Sequence, residues 1–528
     1  MRDAWNNSIP GRLAAFLASI WPESFCFALG QAWQRSREES RILAPFRRLV
    51  QRSDAREESS LLAGIITRWN QWLGSLDHLR TAVHRSLPDR IWAWLYRILS
   101  GSKTVGWIFR DGITGLFVLA LALYIPLNFF FRDLQPIAAL GSVWDELLLT
   151  AAFLWLVWMR IDRKTELRAR VSTVHGMLTA FLILSLAEMF FVSPYWSIAV
   201  PGLRATVQYM LRFFVTVSLI RDEKDFLKIY TLIVLTGVIL GLHGIYQYIA
   251  RVPMPSSWMS STEQSVRARV FSIFGSPNIM GDFMVMTAPL GAGLFFYLKD
   301  WRLKLLSAAA VGIMCVACLF TMSRGAWIGL ALAVLVFIAI AEKRLLIAGL
   351  IVGVCALFLP FVWSRVSYLF SDEFWWLSTN GGRISRWMLG ISYLYRTNPV
   401  FGMGLGMYGG AVAVQNQRLP WVFYTYMDNN YLKIFVEMGW VGIIGFALLF
   451  LSVIFTGANI CRRVRSDRRE RALMAGVFAG LIGVMAHLAF ENIFEEPYMS
   501  AEFWILAGLM VWHGLYRSRK MPETRKTR

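Results

Sequence analysis

Four charged residues, far apart in the chain, are of the types needed to hold and activate a phosphorylated substrate: Arg269, Arg324, Arg383 and Asp428. Arg269 lies in Arg267-Ala-Arg269-Val-Phe-Ser-Ile-Phe-Gly275-Ser-Pro277-Asn278, where Arg267 competes for the same role. Thr321-Met-Ser323-Arg324-Gly325 joins two apolar runs almost without a loop. Gly381-Gly382-Arg383-Ile-Ser-Arg386-Trp387 is followed by Asn398-Pro399-Val-Phe-Gly402-Met-Gly404-Leu-Gly406-Met-Tyr408, and Met427-Asp428-Asn429-Asn430 then leads into another apolar run. Guanidinium forks suit the oxygens of a diphosphate, each charge-assisted bond contributing roughly 1.5–3 kcal/mol when shielded. A carboxylate among them can accept the proton of a hydroxyl attacking a phosphate-activated carbon, a general-base step that gives about 10²- to 10⁴-fold. The arginines would stabilise the departing diphosphate.

Each pattern also has a plainer reading. Arg324 could snorkel to headgroups or make a structural pair. Gly402, Gly404 and Gly406 allow close backbone approach, but without a preceding strand they are no dinucleotide fingerprint, and a tight turn explains them equally. Asp428, just before a helix, could simply cap it. His243 and His487 fall within apolar runs, where a lone histidine is more often hydrogen-bonded structure than a base. His487, four residues before Glu491, remains a distant substitute for a base.

The elements that position these residues are membrane spans. The 528 residues are 56% hydrophobic and 17% charged, too apolar for a soluble surface. Apolar runs recur at 112-131, 137-159, 174-193, 197-220, 226-250, 278-298, 305-322, 325-341, 345-363, 434-459, 472-490 and 500-516. Each is long enough to cross roughly 30 Å of hydrocarbon as a helix. Backbone groups in lipid must be satisfied within the segment, so the expected fold is an all-α polytopic transmembrane bundle of about 12 spans. The run 197-220 is the weakest, because Arg204 and Arg212 interrupt it. Placing the N- and C-termini in the cytoplasm puts every dense basic loop on one side and leaves the opposite loops poor in positive charge or, as at Glu491 to Glu496, acidic, as the positive-inside bias requires. Arg269, Arg324, Arg383 and Asp428 then share the outer face, although none of them entered that assignment.

The net charge of +20 is explained by loops and tails beside anionic lipid, so no nucleic-acid partner is expected. The five cysteines form no disulfide framework. Residues 1-110 alternate Arg and Glu with Trp and Leu, as in Trp69-Asn-Gln-Trp72-Leu73. They form a basic amphipathic region, either helices on the inner membrane surface or a cytoplasmic tail. Residues 111-264 would be N-terminal transmembrane helices, 265-459 a core with a long outer loop at 364-429, and 460-528 C-terminal helices with a basic tail. Trp375, Trp376, Trp421, Tyr424 and Tyr426 in or near that loop could stack on sugars or belong to an interface belt.

From about 265 to 445 the chain resembles the O-antigen ligase and O-antigen polymerase superfamily. The ordered pieces are the Pro277-Asn278 step into a span, the Ser323-Arg324-Gly325 turn, Gly382-Arg383 with Trp387, the segment from Pro399 to Gly404, and a closing Asn429, nine residues, Gly439, two residues, Gly442. The resemblance implies an inverting membrane-embedded glycosyltransferase that needs no cofactor and no metal. Its donor would be an undecaprenyl-diphosphate-linked glycan, its acceptor a glycan or lipid-linked hydroxyl, and its site the outer face of the bacterial cytoplasmic membrane. Arg269 (or Arg267) and Arg383 would grip the diphosphate with Arg324, and Asn429 would orient the base. Where ligases carry a histidine as base this chain has Asp428, ordinarily a weaker one. Two other classes compete: a transporter of a small bicarbonate-like anion, and a non-catalytic scaffold of envelope assembly.

Overall fold

Helix starts are written into the sequence at the places where the candidate residues enter. Ser276 accepts a hydrogen bond from the Ile279 N–H with Pro277 in the first turn, Ser323 does the same for Ala326, and Asn429 for Leu432. A side-chain oxygen before a helix satisfies an otherwise orphaned N–H, and proline costs nothing where no intrahelical donor is needed.

The structure, a computed structural model, describes residues 61–102, 105–109, 111–134, 138–162, 170–253, 269–342 and 346–517. All of them belong to the unit Ser60–Arg528. Arg267, residues 1–60 of the amphipathic region and most of the basic tail lie outside the described residues. The helices used below are α1 (Leu61–Gly74), α2 (Asp77–Arg85), α3 (Leu87–Gly101), α4 (Gly112–Ala122), α5 (Tyr124–Phe129), α6 (Ala138–Ile161), α7 (Thr173–Phe191), α8 (Trp196–Val207), α9 (Arg212–Leu219) and α10 (Glu223–Ile249). There follow α11 (Pro277–Tyr297), α12 (Trp301–Phe320), α13 (Arg324–Ala341), α14 (Leu346–Leu357), α15 (Pro360–Ser367), α16 (Asp372–Thr379), α17 (Arg383–Thr397), α18 (Ala411–Asn416), α19 (Asn430–Arg463), α20 (Arg468–His487) and α21 (Pro497–Trp512). Among the described residues there is no strand, only an isolated bridge between Gly409 and Tyr426.

The all-helical expectation holds, and the span count is coarser than twelve. Among the described residues, seven helices are long and apolar enough to cross a membrane: α7, α10, α11, α12, α13, α19 with the turn after it, and α20. The pair α4–α5, bent by 81°, makes an eighth if it counts as one crossing. Of the other expected runs, 137-159 is one unbroken helix of 24 residues, α6, that carries Asp145, Glu146 and Arg160, whereas α14 has 12 residues, α21 has 16, and a tight turn at Gln208–Leu211 separates α8 from α9. That break accommodates the two arginines of the run 197-220. The guanidinium of buried Arg212 donates to the Tyr124 hydroxyl at 3.1 Å and the Asp145 carbonyl at 3.2 Å, and Arg204 pairs with Glu146. The stretch 364-429, expected as a loop, is largely helical, holding α16, α17 and α18.

α1 and α3 each leave an apolar face exposed: Leu61, Ile65, Trp69 and Trp72 on one, Leu87, Ile91, Trp94 and Ile98 on the other. Spacings of three and four residues place each set on one side of its helix. α2 is tied to the end of α6 by Asp162, which accepts from Arg80 at 3.3 Å and contacts His84 at 2.8 Å.

The centre of the bundle is the contact of α20 with α11 and α13, where small residues bring backbones together. A Cβ at Gly480 would lie 2.4 Å from the Met286 carbonyl oxygen, and one at Gly483 would lie 2.8 Å from that of Gly329. Close approach of this kind replaces the hydrophobic drive that lipid does not supply between helices. It also sets the heights of the helix ends: at one end of the α13–α20 pair Arg468 meets Glu342 at 2.7 Å, and at the other Gly325 lies against His487. Gly480→Val is expected to destabilise the protein by about 1–3 kcal/mol through overpacking, measured as a lower thermal midpoint of the detergent-solubilised protein.

Candidate active site

At the Gly325–His487 end of the bundle the polar groups form one connected set. Val270 N–H donates to the Phe320 carbonyl at 3.2 Å, pinning the segment before α11 to the end of α12. Arg269 then spans the two elements: Nε donates to the Thr321 carbonyl at 3.0 Å and Nη2 to Asn278 Oδ1 at 3.1 Å. The amide of Asn278 in turn donates to Glu491 Oε2. Glu491 lies 4.0 Å from Arg383 Nη2, and Arg383 Nε lies 3.4 Å from Asp428 Oδ2. Arg386 completes the set with Nη2 at 2.8 Å from the same Asp428 oxygen. Thus Arg269 reaches Arg383 and Asp428, each more than a hundred positions further along the chain, through Asn278 and Glu491.

Local structure explains each placement. Arg383 and Arg386 face the same way because they are one turn apart at the start of α17. Trp387 fixes α17 by donating from Nε1 to the Met427 carbonyl at 2.7 Å. Asp428 has a positive φ of 49°, a region where aspartate is better tolerated than most side chains. The helix cap falls to Asn429, whose side-chain oxygen accepts from Leu432 at 3.0 Å, so Asp428 points at the arginines. Arg324 takes another course: its guanidinium carbon is 5.0 Å from the Phe374 ring centre and 6.0 Å from that of Tyr368. These cation–π contacts couple the turn before α13 to α16.

Gly402 and Gly404 have positive φ of 83° and 101°, and their segment mends a broken helix instead of presenting a phosphate cradle. At Gly439 (φ 62°, ψ −160°) α19 departs from helical geometry. The freed carbonyls of Val436 and Glu437 accept from Met403 N–H at 3.0 Å and Gly404 N–H at 2.9 Å. In the opposite direction Trp440 and Val441 donate to the carbonyls of Pro399 and Val400 at 3.0 and 3.1 Å. An interrupted helix in a bundle requires such compensation. Gly406 packs on Gly202 of α8.

The segment 488–496 was read from sequence only as an acidic outer loop, and it proves to be the keystone. Asn492 Nδ2 donates to the Gly409 carbonyl at 2.7 Å, and its Oδ1 accepts from Asn429 N–H at 3.0 Å. Lys433, almost fully buried, lies between Glu437 at 3.0 Å and Glu495 at 3.3 Å. Burial raises the Glu491 carboxyl above its ordinary value; Asp428 pushes in the same direction and Arg383 opposes it. Glu491, Asn278 and Arg386 are the contributors that the sequence reading did not select. The acidic run Glu491, Glu495 and Glu496 in an apolar region was the available signal.

Residues 309–447 match the family described as O-antigen ligase. The resemblance to the O-antigen ligase and polymerase superfamily is supported. The match takes in Arg324, Arg383, the glycine segment, Asp428 and Gly439, while Arg269, Asn278 and Glu491 fall outside it. No curated protein matches the chain. With its apolar helices, this O-antigen ligase-like chain is a multi-pass membrane protein with an envelope-polysaccharide, glycosyl-transferring type of function. Asn492→Ala, which strands a buried carbonyl and a buried N–H, is expected to cost about 1–3 kcal/mol, read as a lower thermal midpoint in detergent.

Proposed function

We propose that the protein is an inverting glycosyltransferase of the bacterial cytoplasmic membrane, moving a glycan from an undecaprenyl-diphosphate carrier to the hydroxyl of a glycan or lipid-linked acceptor at the outer face. The observation that carries this reading is the meeting of Arg269, Arg383 and Arg386 with two carboxylates at one end of the bundle. A diphosphate brings oxygens for bidentate guanidinium contacts, and its departure is favoured by positive charge already in place. Arg269 and Arg383 hold the diphosphate, with Arg386 beside them. Arg324 borders the site on α16, whose Trp375 and Trp376 offer exposed rings to sugar.

The acceptor oxygen attacks the anomeric carbon opposite the leaving diphosphate, inverting its configuration, and its proton passes to a carboxylate of the site. The resemblance puts Asp428 in that role, at the position of the ligase histidine. Asn429, as the cap of α19, orients the backbone that carries Asp428. The exposed apolar faces of α1 and α3 rest on the inner membrane surface, anchored through Asp162. The scaffold and transporter readings gain no observation of their own.

The test is turnover by the purified full-length protein of defined undecaprenyl-diphosphate oligosaccharides, with the product identified. Arg383→Ala is expected to lower kcat/KM by about 10²-fold or more, in the range of losing one charge-stabilising donor. Wild-type turnover by both Arg383→Ala and Asp428→Ala would overturn the mechanism, and anion uptake into proteoliposomes without glycan turnover would overturn the function.

A further inference from the structure

The two carboxylates that share Arg383 are not equivalent. Asp428 presents one oxygen, Oδ2, to both Arg383 at 3.4 Å and Arg386 at 2.8 Å, so the atom nearest the arginines is taken up by two guanidinium groups. Glu491 presents Oε2 to the Asn278 amide, stands 4.0 Å from Arg383, and its Oε1 takes the Asn492 N–H at a long 3.3 Å. Diphosphate oxygens compete with both carboxylates for the Arg383 fork, and the Glu491 contact is the longer of the two and the first to yield. Asn278 holds the same Glu491 oxygen that stands nearest Arg383, by a direct hydrogen bond, and Asn278 is itself fixed by Arg269. Glu491 therefore keeps its position when Arg383 turns to the diphosphate.

Resting on the transferase reading, we infer that Glu491, not Asp428, accepts the proton of the attacking hydroxyl, while Asp428 aligns Arg383 and Arg386 for the diphosphate. In this step the acceptor oxygen forms its bond to the anomeric carbon as the bond from that carbon to the diphosphate oxygen breaks. The electron pair of the broken bond leaves on undecaprenyl diphosphate, and the hydroxyl proton goes to Glu491 and from there to water. The products are the glycoside and the lipid diphosphate.

The groups facing Glu491 are Asp428 and Arg383 from the 364–429 region and its C-terminal boundary, His487 at the end of α20, and Glu496 on its own segment, with Arg269 reaching it through Asn278. Burial and Asp428 raise its titration, against Arg383 and His487. A base must be ionised to act, so turnover falls as the pH drops through this raised value, and the acidic limb lies above the ordinary carboxylate range. A carboxyl raised above its ordinary value is a stronger base than an ordinary glutamate.

The experiment compares full-length wild type, Glu491→Gln, Glu491→Asp and Asp428→Asn, using undecaprenyl-diphosphate oligosaccharide for turnover and undecaprenyl diphosphate alone for binding. Glu491→Gln preserves the shape and an amide oxygen for Asn278. It is expected to lose about 10²-fold or more in kcat, to bind undecaprenyl diphosphate at least as tightly as wild type does, and to lose the acidic limb. Glu491→Asp restores part of the rate together with the limb, which a purely structural role would not do. Asp428→Asn weakens lipid-diphosphate binding and raises KM while keeping the limb, moved to lower pH because one cause of the raised Glu491 titration is gone. The assignment is overturned if Glu491→Gln keeps the wild-type rate and limb, or if Asp428→Asn is the variant that loses the limb. Absence of any transfer by wild type would instead fail the transferase reading, and the assignment with it.

Discussion

Asn278 holds Glu491 on one side and is held by Arg269 on the other, and the polar end of the bundle is organised around that pairing. Asn278 stands in the first turn of α11, the helix that packs most closely on α20, while Glu491 lies just beyond the end of α20. One hydrogen bond therefore joins the central helices to the segment that carries the arginine network. A charge withdrawn from water is costly unless it finds a counter-charge and bonds for its remaining lone pairs. The arrangement meets that requirement with Arg383 and Asp428 on one side and Lys433, Glu437 and Glu495 on the other. The site is thus the set of groups that must be paired if this end is to fold.

Much of the coarse design was legible in the sequence. Composition alone indicated helices in lipid, and the ordered patterns around Arg269, Arg383 and Asp428 marked three residues that do meet. Serine, proline and asparagine before α11, α13 and α19 announced the helix starts. Hydropathy counts apolar runs, though, and is blind to breaks within them. It read 112-131 as one crossing where the chain bends at Leu123, and 197-220 as another where a turn lets Arg212 pack under Tyr124. The stretch 364-429 looked like a loop because α16, α17 and α18 are short and mix charge with aromatic residues.

What the sequence could not show was pairing at long range. Nothing in the spacing of Asn278 and Glu491 says that they touch, and the acidic run was informative only as a sign of orientation. The glycine segment illustrates the same limit. Its residues permit close backbone approach or a tight turn equally, and the choice was made by a break at Gly439 some thirty residues away. The O-antigen ligase match ends on the same helix, so the part of the chain that it covers holds Asp428 and Arg383 and leaves out Asn278 and Glu491.

The mutual repair at Gly439 has a consequence for how this region tolerates change. Four backbone bonds run both ways between residues 399–404 and 436–441, so the two strings of residues are locked in register like the teeth of a zip. Adding or removing one residue between Val400 and Met403 would shift one pair of these bonds against the other, and no choice of side chain could restore both. The stretch around Arg418 is closed by a single backbone bond between its ends, from Met427 N–H to the Gly409 carbonyl, and within it Phe423 N–H is held by a side chain, the Tyr393 hydroxyl. Length is thereby fixed by more backbone bonds in one part of this region than in its neighbour. Divergence in what the protein recognises has room to accumulate in the second without disturbing the first.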